Sequence, residues 1–170
     1  MTPHWADLLT DRERIARYYS EVPPLDGAVL RSVRLDRDGP TLLLRLDLPV
    51  FPDRPEEEWT VAGCDRFQCQ IRFLAVEDIR VAGWPFLGGV DLGIQPLEPA
   101  EERRVAVVAR ARADGADVVR FSCNASLSVG HLAAYRDGDG GPYLHAGRVD
   151  RIRFGTRLPN PTDKAYYERL

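Results

Sequence analysis

The chain has 170 residues, 23 of them basic and 26 acidic, for a net charge of −3. That balance gives no support to a nucleic-acid partner, which shows as a basic face and a high isoelectric point. No apolar stretch approaches the length of a membrane span, and the opening MTPHWADLL has no basic region followed by an apolar run, so the expectation is no membrane partner and a cytoplasmic location.

The length suits one domain with its own core: a helix over about 5–20, a β-rich body over about 28–155 and an irregular tail over 156–170. In the N-terminal region Thr10-Asp11-Arg12-Glu13 has the form of a capping box. Leu8, Leu9, Ile15 and Tyr18 or Tyr19 make an apolar stripe, and Val22-Pro23-Pro24 stops the helix. A cap at Thr10 would split the region into a short helix at Trp5–Leu9 and a longer one from Asp11.

Ala28–Arg37 and Thr41–Leu48 alternate, with the turn Asp38-Gly39-Pro40 between them. Leu42, Leu44, Leu46 and Leu48 share one face, and the pair reads as a hairpin. A proline-rich connection, Pro49–Pro55, leads to Glu56-Glu57-Glu58 and Trp59. From Arg66 the period-2 pattern is the clearest in the chain: Phe67, Cys69, Ile71 and Phe73 face a core, and Arg66, Gln68, Gln70 and Arg72 face water. Glu77-Asp78 reads as a turn and Ile79–Val81 as a strand pairing back onto this one, ended by Gly83-Trp84-Pro85.

Val90–Ile94 is a short strand bounded by prolines, and Arg103–Arg112 and Asp117–Asn124 form a second hairpin about Asp114-Gly115. Ala125–Arg136 fits a strand with a bend or a short helix over a sheet end, with extended chain preferred; Asp137–Gly141 reads as a surface loop, Gly147–Phe154 as a last strand and Asp163–Arg169 as a helical turn. The sum is a mainly β (α+β) protein. We expect an antiparallel sandwich or strongly bent sheet of about seven to nine strands with one N-terminal helix.

Chemistry is sparse. Cys64, Cys69 and Cys123 are an odd set that argues against a disulfide framework. Cys64 and Cys69 have no second ligand pair for zinc, and DGDGG lacks the distal Glu of a calcium loop. His131 with Cys123 would need a thiolate and an orienting third group, which the sequence does not supply. We therefore expect no catalytic, cofactor or metal residue, and no cofactor. Two acidic clusters remain, Glu56, Glu57, Glu58 and Glu98, Glu101, Glu102; Asp36, Asp38 and Asp47 would extend the first if the first hairpin lies nearby. With Trp59 and Trp84 they make the candidate partner-binding residues, either a solvated surface or a patch that meets a basic partner. A small-ligand-binding β domain, with Arg45 or Arg72 turned inward, and a hydrolase using His131 are the alternatives.

The segment YYSEVPPL (Tyr18–Leu25), the hairpin VRLDRDGPTLLLRLDLP (Val33–Pro49), Trp59 and the run FQCQIRFLAVEDIRVAGW (Phe67–Trp84) together resemble the immunity protein 50 family of bacterial polymorphic toxin systems. The resemblance spans most of residues 5–155. It implies a mostly β protein that neutralises a cognate protein toxin by binding it, as a monomer or weak homodimer, with no chemistry of its own.

Overall fold

Leu42, Leu44 and Leu46 are wholly buried, while Leu43 and Arg45 between them are half-buried, as expected of a strand with one face on a core. In the computed structural model, which describes residues 2–83, 88–138 and 141–159, they belong to β2 (Thr41–Asp47). It pairs antiparallel with β1 (Asp26–Asp36) through the expected hairpin. On its other side β2 carries β3 (Arg66–Leu74), then β8 (Leu127–Tyr135) and the short β9 (Leu144–His145). Beyond β1 lie β5 (Gly89–Pro96), β6 (Arg104–Ala111), β7 (Asp117–Asn124) and β4 (Glu77–Val81). These nine strands form one antiparallel sheet in the order β4-β7-β6-β5-β1-β2-β3-β8-β9.

The sheet is strongly bent. β3 and β7 stand five strand spacings apart in that order, roughly 24 Å along a flat sheet at about 4.8 Å per strand. Yet the rings of Phe73 and Phe121 meet edge-on with centroids 4.9 Å apart. The inner faces of the two halves therefore pack on each other. Phe67, Cys69, Ile71 and Phe73 lie between them with no exposure, as their alternation predicts.

Other expectations are corrected. β4 pairs with β7 at the far edge, not with β3. Both edges of β3 are already occupied, by β2 and β8, so the chain must leave it. It does so through Ala75, in the left-handed region at φ 52°, and Val76, whose N–H donates to Pro40 O at 3.1 Å. Gln68, expected in water, is 2% exposed. Its Nε2 donates to Asp47 Oδ1 at 3.1 Å. Asp47 also accepts from Tyr135 Oη at 2.6 Å and Arg31 Nε at 2.7 Å, so it is a buried acceptor and no extension of an acidic patch.

The N-terminal helix is two short pieces, a 3-10 turn at Trp5–Leu8 and α1 (Glu13–Ala16). The capping box does not form. Thr10 gives both its N–H and its hydroxyl to Leu127 O, at 2.9 and 3.2 Å, and Asp11 Oδ1 accepts from Val129 N at 3.1 Å. These bonds seal an edge of β8 that would otherwise be open. A helix absent from the sequence reading, α2 (Glu57–Val61), precedes β3. Gly147–Phe154 is not a strand but α3 (Arg148–Phe154), whose buried residues Asp150 and Phe154 recur at helical spacing. Gly155, at φ 61°, ends it. The helical turn expected at Asp163–Arg169 lies outside the described residues.

Asp47→Ala leaves Arg31, Gln68 and Tyr135 without their shared acceptor and should cost about 2–4 kcal/mol in urea unfolding, discounted because Arg31 is partly exposed. Burial pushes the Cys69 and Cys123 thiols up to about 12 from an ordinary value near 9. At pH 8 an alkylating reagent should label Cys64 alone until the protein unfolds. Above pH 9 the unfolded chain loses these two protons and the folded chain keeps them. Stability should therefore fall as pH rises from 9 towards 12, by up to about 1.4 kcal/mol per pH unit for each thiol.

Candidate functional site

Trp59 anchors the region that carries the acidic run. Its indole is wholly buried, with ring centroids 5.0 Å from Tyr18 and 5.2 Å from Phe67. The ring thus offers no surface to a partner, a correction to its place among the binding candidates. Its role is to clamp α2 onto the core. Glu56, Glu57 and Glu58 stay exposed on that helix and its N-terminal flank. Glu56 accepts from Tyr18 Oη at 3.5 Å, and Glu58 pairs with Arg151 of α3 at 3.0 Å.

The ion pair ties α2 and α3 into one corner, and both helices carry exposed apolar side chains. Val61 follows Glu58 by one turn and is 82% exposed; Ile152 follows Arg151 and is 75% exposed. Val149, one turn before Ile152, is 51% exposed.

Beside this corner opens a cleft of about 410 Å³. Arg14, Arg17 and Tyr18 line one wall, His131 and Leu132 line its floor, and Arg148 and Val149 line the wall formed by α3. His131 sits in the left-handed region at φ 49°. Its Nδ1 lies 3.1 Å from Asp150 Oδ2, with both side chains more than nine-tenths buried. The Phe154 ring meets it edge-on at 5.7 Å. No Ser, Thr or Cys lines this cleft among the described residues. Cys123 lies in the core on β7 opposite Val105, so the Cys/His pair weighed from the sequence does not form. His131 is a buried histidine held by a carboxylate.

The second acidic cluster lies elsewhere. Glu98, Glu101 and Glu102 are exposed on the connection between β5 and β6. Arg104, just after them, donates to Ala75 O at 2.9 Å, beyond the end of β3, whereas Glu56–Glu58 precede its start. The two clusters are therefore separated by about the length of that strand, roughly 30 Å. They do not converge on one surface. Trp84 lies outside the described residues, and among those no group of three His, Cys, Asp or Glu is placed to hold a metal ion. No helix of the described residues is long and apolar enough to cross a membrane. The exposed corner is not legible in the sequence, because α2 and α3 are short and carry no helical periodicity long enough to stand out.

Residues 11–125 match the model of the family described as immunity protein 50. The chain belongs to that family. No curated protein and no solved structure matches it. The matched span of this immunity protein 50 member runs from α1 through β7 and includes the acidic α2. β8 and α3, which line the floor and one wall of the cleft, fall after it.

Because Trp59 fixes α2, Trp59→Ala should cost about 3–5 kcal/mol in chemical unfolding, while Glu57→Ala stays within about 0.5 kcal/mol. Equal effects would place α2 off the core.

Proposed function

We propose that this protein is the immunity partner of a bacterial protein toxin and neutralises it by binding and occlusion, without catalysis. The toxin docks on the α2–α3 corner. The observation that carries the reading is that the exposed Val61, Val149 and Ile152 stand on two helices tied together by Glu58 and Arg151. Single exposed aliphatics are ordinary. A group of them rimmed by charge has the anatomy of a protein interface. Glu56 and Glu57 give the α2 side of the rim negative potential, which suits a basic patch on the toxin, while Arg14, Arg17 and Arg148 line the adjoining cleft. The adjoining cleft supplies room for an anchoring side chain. Glu98, Glu101 and Glu102 are too distant to share this contact. In this reading the protein acts in the cytoplasm as a monomer or weak dimer and needs no cofactor. The alternative of a ligand held inside the sheet with Arg45 or Arg72 turned inward is not favoured, since both residues stand on the outer face, opposite to Leu44 and Ile71.

The test is co-expression with the product of the adjacent gene. We expect rescue of growth and a stable complex by gel filtration. Val61→Glu combined with Ile152→Glu should weaken that complex by about 30-fold or more while the melting temperature stays unchanged. Neither rescue nor a complex for the unaltered protein would overturn the reading; full affinity in the double variant would move the interface elsewhere.

A further inference from the structure

The outer face of the sheet carries a charged feature of the opposite sign. Arg34 on β1 lies across from Leu43 on β2, and Leu43 across from Arg72 on β3. Arg45 is two residues on from Leu43 on the same face, opposite Gln70. At about 4.8 Å per strand, Arg34 and Arg72 are roughly 10 Å apart, with Arg45 set about 7 Å along the strand between them. All three are half-buried.

Neighbouring cations on this side of the sheet are neutralised. Arg31 pairs with Asp47 at 2.6 Å and Arg66 with Asp137 at 3.0 Å. Arg34, Arg45 and Arg72 have neither a hydrogen bond nor an ion pair among the described residues. The Nε of Arg45 is buried with no acceptor. Asp47, the carboxylate whose charge reaches Arg45, is already hydrogen-bonded by Arg31, Gln68 and Tyr135. Burial also pulls the Arg45 pKa below its ordinary value, the sign of a cation not fully compensated. Next to Arg72 a cavity of about 160 Å³ opens, with Gln70, Ser128 and Arg14 as donors on its walls. Asp11 is its acidic residue, and that carboxylate already accepts from Val129 N and faces Arg14 at 3.7 Å.

A half-buried guanidinium without an acceptor is unfavourable for the free protein, and an apolar side chain of similar volume would serve the fold better. We propose that Arg34, Arg45 and Arg72 form an anion-binding surface that takes an acidic segment of a protein partner. The guanidinium fork matches a carboxylate bidentately. Carboxylates on alternate residues of an extended peptide stand about 7 Å apart, close to the spacing of these arginines. Leu43 at the centre offers the peptide an apolar contact. A nucleic acid fits less well. Among the paired outer-face residues of β1, β2 and β3 none is aromatic, so no row of rings runs between the three arginines for successive bases to stack on. This surface goes beyond the docking corner on α2 and α3 and is independent of it.

The test uses the full chain and two probes of similar charge, a capped hexaglutamate peptide and a thymidine hexanucleotide, titrated calorimetrically at low ionic strength. The peptide should bind, and Arg45→Gln and Arg72→Gln should each weaken it about tenfold or more. Arg45→Met should lose binding while its melting temperature holds or rises, a combination that a structural arginine would not give. No peptide binding by the unaltered protein, unchanged binding in both Gln variants, or tighter binding of the hexanucleotide overturns the proposal. So does a lowered melting temperature in Arg45→Met, because the guanidinium would then already be satisfied. No toxin enters these measurements, so their failure leaves the toxin-binding reading standing.

Discussion

The inner face of β3 is the constraint on which the rest of the structure depends. Phe67, Cys69, Ile71 and Phe73 are all without solvent exposure, and each large side chain there is worth about 1.5–3 kcal/mol of burial before entropy. The two ends of the strand use that face differently. Phe73 meets Phe121 of the opposite half and closes the bend of the sheet. Phe67 meets Tyr18 and Trp59 and fastens the N-terminal segment and α2 to the same core. One strand thus holds both the fold of the sheet and the placement of the surface helix.

That arrangement explains how a protein with a net charge of −3 can present two surfaces of different character. Trp59 carries the weight of the α2 attachment, so Glu56, Glu57 and Val61 remain in water. The outer side of β1, β2 and β3 is set by the leucines and aromatics beneath it: every residue between two core positions must point outward, and several of those are arginines. Asp47 neutralises Arg31, and its remaining lone pairs go to Gln68 and Tyr135. A single buried carboxylate cannot also serve Arg45. The family match covers the strands that build this outer face and the acidic helix, and it ends before the floor of the cleft.

The segments that carry the resemblance, Tyr18–Leu25, Val33–Pro49 and Phe67–Trp84, fall wholly within the matched residues 11–125, a narrower span than the expected 5–155. Strand faces were legible because alternation is a local property. Leu42, Leu44 and Leu46 declare their side without reference to any partner, and the Asp-Gly turns join neighbours in sequence. The candidate site was legible only in part. Glu56–Glu58 could be named as a charge run, but that Trp59 is buried beneath them depends on Tyr18 and Phe67 arriving from elsewhere in the chain.

From its sequence alone the chain determined a mainly antiparallel β architecture, the two hairpins and the inward face of β3, because period-2 burial is written residue by residue. Tertiary structure decided the rest. Whether β4 pairs with β3 or β7 depends on which strand edges are already taken, and β2 and β8 take both edges of β3. Whether Arg148–Phe154 coils or extends depends on where Asp150 and Phe154 find His131 and His145. And whether Gln68 faces water or a buried carboxylate depends on Asp47 on the neighbouring β2 and Tyr135 on β8 at the other edge of β3, contacts that no local pattern encodes.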